Sequence, residues 1–198
     1  VVQPSRQRRA SSESVTAAAL MAAWDRDWAR PLSGFLSAEG AAGGTVLMVP
    51  ALGTEGRFLE RGPSSTQPLV AVGIPHQGGT SAALSSLLRE LCYPAVRRAF
   101  APFEGRFEDR RDAARASDLA ATRCGELLLE RRAPEQVAAY RARFGISASG
   151  MGPGFLSASG TLPGVAAWEG QLQTALLREL NLDSDEVRAT APPVGRIP

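Results

Sequence analysis

The residues best placed to do chemistry lie in the run SSLLRELCYPAVRR, residues 85–98. Its leucines recur at helical spacing, and within it RELCY puts Arg89 and Tyr93 four positions apart with Glu90 between them. Residues four apart share one helical face. Two ligand side chains at 89 and 93 would therefore reach one ion, with the carboxylate at 90 placed to polarise a bound water as general base. Neither flanking residue suits that task. Arginine keeps its proton and accepts nothing, and tyrosine alone is a poor ligand. A further carboxylate, Glu126, follows on the next strong helical pattern. The one histidine, His76, precedes the run in a loop, and the two cysteines are Cys92 and Cys124.

The frame of RELCY followed by Pro94, after two short apolar strands and before a helix carrying Glu126, resembles the H-E-x-x-H helix of gluzincin-like zinc metallopeptidases. The resemblance spans about residues 43–140 and lacks both histidines. It implies a metallopeptidase-like fold whose metal ligands are gone, with Arg89, Glu90, Tyr93 and Glu126 as the vestigial site and no catalytic residue, no metal and no cofactor. It further implies that the Arg89 guanidinium replaces ligand and metal together and faces Glu126, with Tyr93 beside it as a hydrogen-bond donor. In this arrangement Cys124, two positions from Glu126, points to the opposite side of its helix. Both cysteines are then expected to be buried and reduced. A metallopeptidase cleft grips an extended peptide along an edge strand, and that grip can outlast the metal.

Other chemistries are less well supplied. A zinc protein with the irregular ligand set His76, Glu90 and Glu126 is one alternative. A hydrolase pairing His76 with a serine or cysteine nucleophile is another, but no G-x-S-x-G elbow is present; ISASG at 146–150 lacks the first glycine. GMGPGF lacks the G-K-[ST] of a phosphate loop. Glu39 and Glu55 are carboxylates that no spacing singles out.

The elements that must position these residues follow from periodicity and punctuation. Residues 14–38 carry an amphipathic helical stripe, with Ser14 or Thr16 as the cap and a break or kink at Pro31. TVLMVP and LVAVGI, near 45–50 and 69–74, read as two short strands of an antiparallel hairpin joined by a polar, turn-rich loop. Thr80 or Ser81 opens the helix that carries Glu90, and Pro94 bends it. Further helices are expected over 113–130, 133–145 and 165–180, the second with Pro134 near its start and Gly145 past its end. The charged run 104–118 reads as exposed, and the small-residue stretch 146–164 as a long loop, mobile or functional. The fold class is α+β, a mostly helical single domain over 14–182 with a small β-sheet. A basic arm at 1–13 precedes it and an irregular tail at 183–198 follows.

Composition limits the partners. The 198 residues hold 22 basic and 20 acidic side chains, a net charge of +2, and every basic residue is arginine. Such a balance lacks the clustered basic excess of a nucleic-acid binder. It fits an arginine-rich chain from a GC-rich bacterial genome. No apolar run approaches the length of a membrane span. The absence of an initial methionine points to a processed, extracytoplasmic protein, with a cytoplasmic one as the alternative. The expected role is a binding or accessory subunit of a larger protein assembly.

Overall fold

The computed structural model describes residues 15–53, 55–59, 67–74, 79–107, 109–160, 162 and 164–182. The arm at 1–13, the Ser14 cap, the tail at 183–198 and His76 lie outside the described residues. Helix α1 (15–24) opens into a wider π-helical turn over Asp25–Ala29, and α2 covers Ser33–Ala38. Trp28 is buried at their junction and stacks on Trp24, with centroids 6.4 Å apart.

Three short strands follow: β1 (Thr45–Met48), β2 (Gly56–Leu59) and β3 (Leu69–Val72). Their order is β1-β3-β2, with β1 parallel and β2 antiparallel to the central β3. The hairpin expected of the two apolar runs is therefore not formed. β1 and β3 lie side by side in parallel, Thr45 opposite Leu69 and Met48 opposite Val72. The physical reason lies in GRFL, within the stretch that read as a turn-rich loop. It forms the antiparallel partner of β3 and reverses the chain once, so the next reversal brings β3 back parallel to β1. Val70, Ala71 and Val72 are buried, as a central strand requires.

Helix α3 (Thr80–Leu91) packs beneath the sheet and against α5 and α6. Its buried face takes in Leu84, Leu87, Leu88 and Leu91. It stops at Cys92, and α4 (Tyr93–Phe100) restarts with Pro94 in its first turn. Proline supplies no N–H and its ring crowds the preceding turn, so the break falls where the sequence puts it. α5 (Arg110–Arg132) is longer than its apolar pattern suggested and absorbs most of the charged run as its exposed opening turns. Asp109 caps it by accepting the Arg111 N–H at 2.8 Å. α6 (Pro134–Phe144) ends at Gly145 in the left-handed conformation, and α7 (Glu169–Glu179) packs on α4. One core cluster runs from Leu20 to Leu182. The described part is thus mostly helical with a small mixed sheet, the α+β class.

The described residues of the stretch 146–164 form only a short 3-10 turn, Ser157–Ser159, yet two buried carboxylates hold its backbone. Glu126 accepts the Met151 N–H at 3.1 Å. Glu169 accepts the Leu156 N–H and, at 2.6 Å, the Ser157 hydroxyl. No described helix is long and apolar enough to cross a membrane.

Candidate functional site

Glu90 lies one residue before the end of α3 and is buried against β2. Gly56 on that strand leaves the room: a Cβ there would come within 2.6 Å of the Glu90 Cγ. The carboxylate is occupied on both oxygens. Oε2 accepts the Phe58 N–H at 2.8 Å, and Oε1 accepts Arg89 Nη2 at 2.7 Å. Because Phe58 lies opposite Val70 in the antiparallel ladder, and the flanking Glu55 carbonyl accepts the Gly73 N–H, the Phe58 N–H points away from β3. Glu90 therefore closes the outer edge of β2.

Arg89 stays on the same side. Besides Glu90 it reaches Glu55 at 3.3 Å and lies 5.3 Å over the Phe144 ring. Arg143 lies over the same ring at 5.1 Å and approaches Glu55 at 3.7 Å. Burial works against the Arg89 charge, but Glu90, with help from Glu55, more than offsets it and raises its pKa. Tyr93 turns to α5, where its hydroxyl donates to Asp118. Burial, then that acceptor, pushes the phenol well above its ordinary value.

The expected ion pair between Arg89 and Glu126 is not formed. Glu126 accepts Arg123 Nη1 at 2.6 Å and Arg141 Nε at 2.7 Å, and Arg141 Nη2 also reaches Glu130 at 2.6 Å. The reason lies in the two-residue offset on α5. The Cys92 thiol lies close to Cys124, so Cys124 is the residue of α5 that faces the end of α3, and Glu126 faces α6 and the Met151 backbone. The opposition between the two positions holds; the assignment of faces is reversed. Both cysteines are free and buried, and burial followed by the Cys124 contact raises the Cys92 pKa well above the usual thiol value. Thiols buried in apolar surroundings make poor nucleophiles.

Of the four residues with sequence-derived roles, the structure thus joins only Arg89 and Glu90. Tyr93 and Glu126 each serve a separate contact. The partners that periodicity did not reveal are Glu55, Phe58, Asp118, Arg123, Arg141 and Arg143. One of them was within reach: Arg123 and Glu126 are three apart on a helix, the spacing of an i,i+3 ion pair. Glu39, likewise anonymous in sequence, is buried and accepts Arg98 Nη1 at 3.1 Å, while Arg98 Nε meets Glu179 at 2.5 Å.

Chemically, the arrangement around Glu90 is a brace. Its carboxylate is committed to a backbone donor and a guanidinium, and the residues at 89 and 93 do not fit a zinc ion. Among the described residues no group of three or more His, Cys, Asp or Glu is disposed to hold a metal. Comparison of the chain with protein-family models, with curated proteins and with solved structures gives no match.

Proposed function

We propose that this chain is a non-catalytic binding or accessory subunit on a metallopeptidase-like scaffold whose metal ligands have been lost, acting with a protein partner outside the cytoplasm. The observation that carries the reading is the environment of Glu90. At the position where a metallopeptidase keeps its general base, the carboxylate accepts the Phe58 N–H and the Arg89 guanidinium. A base must be free to accept a proton from water near the reacting bond; this one is spent on the fold. The inaccessibility of Cys92 and Cys124 weighs against a cysteine hydrolase in the same way.

The reading is tested by incubating the purified chain, with and without added zinc, with a fluorogenic peptide mixture. The expected rate equals that of a Glu90→Ala sample. Zinc-dependent turnover lost in Glu90→Ala would overturn the proposal.

A further inference from the structure

The sheet has two edges, and they are not equivalent. The β2 edge is closed at Phe58 by Glu90. Among the described residues, the β1 edge is open. Thr45 N–H and Val49 N–H bond to Pro68 and Val72 on the β3 side at 3.0 and 2.8 Å. In a parallel ladder the intervening residues then turn their peptide groups outward. Val46 and Met48 accordingly present N–H and C=O groups that meet no partner among the described residues.

Below this edge, between the sheet and the helices α1 and α2, runs a groove of about 330 Å³. Met21, Trp24, Leu36, Val46 and Leu91 give it apolar walls. Met21, in its lining, is 46% exposed, and Leu47, on the opposite face of β1 from Val46, is 41% exposed. An uncovered strand edge beside an uncovered apolar groove is an association surface. Its charge is one-sided: Asp25 is the single charged residue in the lining and makes no ion pair among the described residues.

We propose that β1 binds an extended peptide of a partner protein, one that carries apolar side chains at alternate positions beside an arginine or lysine. The peptide adds as a strand to β1, pairing with the outward groups of Val46 and Met48. Alternate side chains then fall into the groove, because successive residues of a strand point to opposite faces. The basic residue sits at Asp25. The proposal rests on the reading of the chain as a binding module and places its grip on the sheet edge away from Glu90.

The test uses the full chain and a fluorescein-labelled nonapeptide that alternates valine with arginine or threonine, followed by anisotropy. Saturable binding is expected. Backbone N-methylation of one alternate set of peptide residues should weaken it about tenfold, the loss of one to two hydrogen bonds, while methylation of the other set leaves it unchanged. Asp25→Arg, an exposed substitution, should weaken it about threefold at low salt. Absence of saturable binding, or equal response to both methylated sets, overturns the proposal. So does a dimer in sedimentation equilibrium that Leu47→Lys dissolves, since the occupant would then be a second copy. Zinc-dependent cleavage of the peptide would sink the non-catalytic reading while leaving the binding site standing, so the two failures are distinguishable.

Discussion

Glu126 is committed on both carboxylate oxygens. It is fully buried, accepts two guanidinium groups and the Met151 N–H, and so ties α5 to α6 and to the loop that follows. Burial by itself would raise its pKa; the hydrogen bonds from Arg141, Arg123 and Met151 outweigh that and hold it below the ordinary glutamate value. A folded pKa below the unfolded one contributes stability that is complete above the unfolded value, about 4.3, and is lost as pH falls through the folded value. Glu126→Gln is therefore expected to cost about 3 kcal/mol at pH 7, the low end for breaking a buried ion pair, because Arg141 keeps Glu130. In urea unfolding at pH 7 and pH 4, the gap between the two proteins should narrow at the lower pH; a constant gap would contradict this account. Gly150 belongs to the same cluster. Its φ of +83° and the closeness of the Arg141 guanidinium and Glu126 leave little place for a side chain. Sequence alone revealed Glu126 as a residue of interest for the wrong partner. Nothing in spacing fixes the rotation of a helix about its axis when both faces are buried, and α5 buries Cys124 and Glu126 alike.

Among the elements, the α5–α6 pair depends on a glycine in the middle of a helix. Gly125 lies where Tyr140 crosses, and a Cβ there would overlap the Tyr140 hydroxyl. That hydroxyl donates to the Thr122 carbonyl at 3.0 Å, and the ring rests on Phe144 with centroids 4.8 Å apart. Gly125→Ala adds about 1 kcal/mol of helix propensity but forces overpacking that costs on the order of 1–3 kcal/mol and strips a buried hydroxyl of its acceptor, about 1–3 kcal/mol more. A net loss of roughly 1–5 kcal/mol is expected on these terms. Thermal unfolding checks it, and adding Tyr140→Phe should recover part of the loss. Stabilisation by Gly125→Ala would show that the helices are not packed this closely. The helices were well marked in sequence because their signals are local: the leucines of α3, Pro94 at its break, and Pro134 and Gly145 at the two ends of α6. The strands were half legible. VLM and LVAV are continuous apolar runs, but GRFL offers only two apolar residues after an arginine, inside a polar stretch, and gave no run to read.

For the whole molecule, the direction of strand pairing decides which surfaces remain for function. An antiparallel hairpin of β1 and β3 would have left β3 at an edge. The observed order buries β3, closes β2 with Glu90 and, among the described residues, leaves β1 open. That order depends on contacts between β2 and α3, 32 positions apart at Phe58 and Glu90, which no local pattern encodes. The single core from Leu20 to Leu182 holds these parts in one body, with Phe103 and Phe107 closing on Trp168 at 5.1 and 5.3 Å. Within that body Glu90 stands between Arg89 and Tyr93 on the run RELCY, and the contacts at each of the three positions are structural. Metal content tests this claim most directly. After equilibrium dialysis of the native full chain against micromolar zinc and gel filtration, elemental analysis should find far less than one zinc per chain, unchanged in Glu90→Gln. One tightly held zinc per chain, lost in Glu90→Gln, would contradict the account.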